Sequence, residues 1–188
     1  DLYEVVNFSF NSKRDIENCL LNYDDHLKVA NCLSLDQSDL RTSLIPNLLN
    51  NVVLNLKNFD QFGLFEIGRI YNKNPGKLPL EKNTLTIVNV GGFAERANSK
   101  YWGVSSPFFA SKKIVEKLLT TLGLSNYKFL RTDDLKGKKA SFHPEKCVKI
   151  IVNGQIVGDL YELHPQINKN YDIKPAIGVV DLDLGVLE

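Results

Sequence analysis

The sequence predicts an α+β fold, an antiparallel β-sheet flanked by helices, and three observations carry that expectation. Runs of β-branched and aromatic residues recur along the chain. Two of them meet at Asn153-Gly154, and two other segments space their apolar residues at helical intervals. No repeat or linker divides these elements. A chain of 188 residues can close a hydrophobic core, so residues 1–188 are expected to form a single domain.

Tyr3 to Phe10 reads as the first strand. Ser12 caps a short helix running to about Leu20, with Asp15 and Glu17 near its start. His26 to Asn31 reads as a second strand. Asp39 to Pro46 then leads into a helix whose first turn accommodates Pro46, where a missing N–H costs little. Leu48, Leu49, Val52, Val53 and Leu56 form an apolar stripe. Asn47, Asn50, Asn51, Lys57 and Asn58 lie opposite, so this helix packs by one side.

Phe62 to Tyr71 is apolar on both faces, which predicts a central strand. Pro75, Gly76 and Pro79 make residues 72–80 a loop, and Thr84 to Val90 alternates as a strand running into Gly91-Gly92. Ser106-Pro107 opens a second helix with Phe108, Ile114, Val115, Leu118, Leu119 and Leu122 as its buried face; Gly123 ends it. Tyr127 to Arg131 is a strand. Cys147 to Leu160 is a hairpin, because both residues of Asn153-Gly154 tolerate positive φ. Ala176 to Leu184 is the last strand, for six to nine strands and two or three helices in all.

Twenty-three Lys and Arg against 22 Asp and Glu leave a net charge of +1. A nucleic-acid-binding domain depends on a basic excess or stripe, and the one basic cluster here is Lys136, Lys138 and Lys139 around Gly137. Three cysteines (Cys19, Cys32, Cys147) without framework spacing read as reduced thiols, which predicts a cytoplasmic setting. No run of about 18 apolar residues is present, so no membrane-spanning helix is expected. The chain starts at Asp1 and contains no methionine, which suggests a piece of something longer.

No pattern for a nucleophile, a phosphate loop or a metal centre emerges. Gly91-Gly92 lacks the rest of a dinucleotide or Gly-Lys-Ser/Thr motif and reads as a turn or bulge. His143 with Cys147 offers two ligands where zinc takes three or four. His143-Pro144 and His164-Pro165 are therefore read as turns beside the sheet, each imidazole hydrogen-bonded to backbone. Arg41 and Glu66 are read as an ion pair tying the helix entry to the long strand.

Four stretches, in order, resemble the beta subunit of bacterial phenylalanyl-tRNA synthetase. They are residues 40–49 (Leu-Arg-Thr-Ser-Leu-Ile-Pro-Asn-Leu-Leu), residues 64–71 (Leu-Phe-Glu-Ile-Gly-Arg-Ile-Tyr), Phe108 to Lys112 with Val115-Glu116, and Phe142-His143-Pro144 followed by Gly154 to Pro165. The resemblance covers nearly the whole chain. It implies a class II aminoacyl-tRNA synthetase-like fold that has lost catalysis, a structural core packing against the alpha subunit in an (αβ)₂ assembly. That enzyme joins phenylalanine to its tRNA with ATP and Mg²⁺, so tRNA(Phe) is a partner of the whole; no cofactor, metal or catalytic residue is expected here. Arg41, Pro46, Glu66, Gly68, His143, Pro144, Gly158, His164 and Pro165 are the structural residues the resemblance marks.

The residues agree with that loss. A class II site needs cations on its triphosphate. Active relatives place one arginine just after the strand matching residues 65–71, where this chain has Asn72-Lys73. A second belongs on a Gly-rich turn at the end of the fold, where residues 178–185 contain none. The chain departs from the beta-subunit pattern at Asn47, at Lys113 and at Asp159-Leu160-Tyr161. A free-standing synthetase-like enzyme activating a small carboxylic acid, and an RNA-binding module, are the competing readings.

Overall fold

The computed structural model describes residues 2–91, 106–131 and 139–187. Its frame is a seven-stranded sheet. Strand β1 (Leu2–Glu4) lies parallel to β5 (Phe62–Asn72), and every other pairing is antiparallel. Next come β6 (Leu80–Val90), β10 (Ile177–Asp183), β9 (Gln155–Leu163), β8 (Phe142–Val152) and finally β7 (Tyr127–Arg131) at the far edge. A second, three-stranded sheet joins β2 (Phe10–Asn11), β4 (Asp39–Leu40) and β3 (Leu27–Lys28), with β4 in the middle.

Each face of the large sheet has its own apolar core. On one face α2 (Ile45–Asn55) sets Leu48, Leu49 and Val52 against Leu64, Val88, Val90 and Val179. Pro46 occupies the first turn of α2, as its lack of an N–H favours. On the other face α3 (Pro107–Thr121) sets Val115 and Leu119 against Ile87, Leu160, Val180 and Leu182. Burying these side chains contributes on the order of 2 kcal/mol each relative to exposure.

Gly178 lets α3 come close, because a Cβ there would strike the Pro107 carbonyl and the Ser111 hydroxyl. The hairpin turns at Asn153 and Gly154, both at positive φ (51° and 85°). Gly91 also has positive φ (66°); Gly92 lies outside the described residues, as do Lys136, Gly137 and Lys138.

The structure departs from the expectations in instructive places. Tyr3 to Phe10 divides between two sheets, because Asn7 turns inward to Glu66 and breaks the strand. The strand expected over residues 26–31 shrinks to β3. Phe62–Asn72 is the next-to-edge strand, and its two apolar faces answer the two cores. Leu122, in the turn that ends α3, is exposed rather than buried. His164-Pro165 opens a helix, α4 (Pro165–Asn170), beyond the two or three helices expected with α1 (Lys13–Asn18), α2 and α3.

Candidate functional site

The face under α2 changes character along its strands. Residues opposed in the ladder share a face, so the rows Val88–Val179–Tyr161 and Thr86–Asp181–Asp159 are neighbours on it. The first row is apolar apart from one phenol and lies under the helix. The second is polar, and Thr84 and Asp183 extend it. This polar half floors a cleft of about 650 Å³, walled by residues 20–22, 42–44 and 139–141.

Asp181 lies at the centre of the floor. Its Oδ1 accepts from the Thr86 hydroxyl (2.6 Å) and its Oδ2 from the Tyr161 hydroxyl (2.9 Å). Burial pushes its carboxyl above the usual carboxylate range, and Asp159 alongside adds to the rise; Lys139 and the two hydroxyl donors pull the other way. Burial also raises the Tyr161 phenol, whose ring stacks on Phe142 with centroids 3.9 Å apart.

The cations of this region are already engaged. Lys149 and Lys139 reach the two oxygens of Asp159 (2.5 and 3.7 Å), and Lys82 meets Asp183 (3.2 Å). Among the described residues, Lys82 and Lys139 are the cations lining the cleft, and each is paired with an aspartate. His26 is held by two residues of the wall, Asn22 and Thr42. Its Nδ1–H donates to the Asn22 carbonyl and its Nε2 accepts from the Thr42 hydroxyl, both at 3.0 Å. Burial lowers its pKa, which favours this neutral form.

Arg41 and Glu66 meet just beyond the cleft. The guanidinium donates from Nη1 to Glu66 Oε1 (2.6 Å) and from Nε to the Arg69 carbonyl (2.9 Å). Asn7 caps Glu66 with its backbone N–H and its side-chain amide, and Asn51 on α2 donates to Asn7. Gly68 makes the approach feasible, since a Cβ there would overlap Arg41 Nη2. Gly158 serves a similar end, because a Cβ there would run into the Asp181 carbonyl on the next strand.

The two His-Pro pairs lie apart from these groups. His164 caps α4, its Nδ1 accepting from Gln166 N (3.1 Å), with Pro165 in the first turn. His143 Nδ1 accepts from Glu145 N (3.2 Å), and Pro144 falls where the β8–β9 register shifts between Phe142 and Cys147. Among the described residues no group of three or more His, Cys, Asp or Glu is placed to hold a metal.

Thr86 and Asp181 escaped the sequence reading, and Asp159 and Tyr161 entered it only as departures from the beta-subunit pattern. A signal existed: Asp181 and Asp183 alternate with apolar residues in a strand otherwise fit for burial. Parts of the two stretches where the resemblance leads arginine to be expected line this cleft. Asn72 lines its wall, and residues 181–183 line its floor.

A family model, described as the phenylalanyl tRNA synthetase beta chain CLM domain, matches residues 1–184. The chain belongs to this family. It is 28% identical over 193 residues to the phenylalanine–tRNA ligase beta subunit of Clostridium acetobutylicum, covering 99% of the chain and 22% of the relative. The beta subunit of Carboxydothermus hydrogenoformans is 30% identical over 196 residues, covering 100% and 23%. That of Streptococcus thermophilus is 32% identical over 160 residues, covering 83% and 19%. The chain thus spans about a fifth of the length of these curated relatives.

Among solved structures, the fold matches pyrrolysyl-tRNA synthetase of Desulfitobacterium hafniense. One structure, of PylSc, gives a TM-score of 0.73 at 14% identity over 99% of this chain and 61% of that one. A second gives 0.74 at 13% identity over 99% and 62%. At that identity the likeness concerns the fold, and the CLM domain has the class II synthetase fold.

Proposed function

We propose that this CLM domain is a non-catalytic core of a phenylalanine–tRNA ligase beta subunit, one domain of a longer protein. It shapes the enzyme by packing against the alpha subunit in an (αβ)₂ assembly in the cytoplasm. ATP and Mg²⁺ serve the chemistry of the whole enzyme, and tRNA(Phe) is its substrate. Arg41, Pro46, Glu66, Gly68, Gly158 and the two His-Pro pairs maintain the scaffold.

The observation that supports this reading most directly is the electrostatics of the cleft. A triphosphate carries several negative charges and is stabilised by preorganised cations. Here Lys82 and Lys139, the cations lining the cleft among the described residues, are paired with Asp183 and Asp159, and Asp181 between them meets two hydroxyls rather than a cation. A nucleotide would have to break those ion pairs to gain a cation. The matched relatives named above are beta subunits, so the reading of a free-standing synthetase is not favoured.

The test is made in the whole ligase. Lys82→Ala and Lys139→Ala in the beta subunit, co-expressed with the alpha subunit, should leave aminoacylation within about twofold of wild type. A loss of the size seen when a transition-state donor is removed, roughly 100-fold in kcat, would make the cleft catalytic and refute the proposal.

A further inference from the structure

The small sheet contains two buried oxygen atoms without a hydrogen-bond partner, Oδ1 of Asn11 and Oδ1 of Asp39. Asn11 and Asp39 are direct partners in the β2–β4 ladder, so their side chains share a face. Asn11 is 1% exposed and Asp39 is 0% exposed. Buried polar atoms are nearly always satisfied, by protein or by an ordered water.

Both orphans are acceptors, and the surrounding bonds establish this. Asn47 Nδ2 donates to the Phe8 carbonyl (2.8 Å), which leaves Asn47 Oδ1 facing Asn11. Asn11 must therefore present its Nδ2 to Asn47 (2.6 Å), and its oxygen is the atom left over. The other oxygen of Asp39 already accepts from the Ser38 hydroxyl (2.6 Å).

The nearby imidazole and cations make other contacts, and none of them bonds either Oδ1. Both ring nitrogens of His26 are bonded, to Asn22 and Thr42. Arg41 uses Nε and Nη1 on Arg69 and Glu66. Lys28, the ladder partner of Asp39 on its other side, holds its ammonium 5.0 Å over the Tyr23 ring. The species that fits is small and carries two donors. Two oxygens are too few to strip a divalent ion of water, since such ions take about six or more oxygen ligands.

We infer that Asn11 and Asp39 form a buried site for one structural water, which donates one hydrogen to each Oδ1. That water joins the small sheet to the amide relay on α2, two residues ahead of Arg41. The inference rests on the ladder and the orphaned acceptors alone, independent of the proposed function.

Water ¹⁷O relaxation dispersion on the chain counts long-lived internal waters directly. Asn11→Leu with Asp39→Leu replaces both acceptors by apolar groups of similar volume, so the count should fall by one relative to wild type with the fold retained. Asn11→Ala, which deletes one acceptor, should shorten the residence time. An unchanged count in the folded double variant would overturn the inference. A crystal structure would also overturn it by showing the two oxygens in direct contact, sharing a proton, or a metal ion between them.

Discussion

Two regions of one sheet face handle buried carboxylates in opposite ways. Glu66 has a cation beside it: it faces Arg41 at 2.6 Å, accepts two further bonds from Asn7, and is 1% exposed. Asp181, on the same face and directly opposite Thr86 as Glu66 is, has no arginine. It meets two hydroxyls, and burial raises its pKa, so the neutral acid is favoured. The domain places its strong cation where the helix entry must be tied down. The cleft, where a class II site would need positive charge, is left without a free one among the described residues.

The contrast can be broken first at Arg41. Arg41→Ala leaves Glu66 buried and uncompensated and should cost about 3 kcal/mol or more in urea unfolding. An unchanged midpoint would mean that the pair contributes nothing to the scaffold. Gly68→Ala should cost roughly 1–3 kcal/mol, because its methyl competes with the guanidinium for space. In a double-mutant cycle with Arg41→Ala that penalty should largely vanish, since the clash is removed along with the side chain. Full additivity would contradict the packing described.

At Asp181 the sign runs the other way. A carboxyl whose folded pKa is raised binds its proton more tightly folded than unfolded. Its contribution to stability is present below the unfolded pKa and is lost as pH rises through the folded one. Asp181→Asn retains a neutral hydrogen-bonding group, so its stability relative to wild type should improve as pH rises from about 4 toward 8. A flat difference across that range would show that Asp181 ionises freely. At the smallest end, Lys13→Ala breaks a solvent-exposed i,i+4 pair with Glu17 and should shift stability by no more than about 0.5 kcal/mol.

Legibility in the sequence followed the range of the interactions. Helix α2 announced itself by a local stripe and Pro46, and the β8–β9 hairpin by Asn153-Gly154, because those signals lie within a few residues. The fold class followed from them. The β2–β4–β3 sheet was legible in part, since the strand expected over residues 26–31 contains β3, but β2 and β4 were not marked as strands of their own because two-residue strands carry no period. Helix α4 was hidden behind a cap residue, His164, that is not among the usual N-cap types. The acidic floor depends on the register of β6, β10 and β9, which brings Thr86, Asp181 and Asp159 together from distant parts of the chain. Alternation marks the face a residue occupies but not its neighbours across the ladder, so Asp181 read as an ordinary strand position.

Titrating the chain with ATP–Mg²⁺ in a calorimeter tests the central claim most directly. The paired lysines and acidic floor predict no heat of binding up to millimolar nucleotide. A saturable isotherm in the micromolar range, weakened by Lys82→Ala or Lys139→Ala, would contradict the account, because it would show that the cleft holds a nucleotide with its own cations.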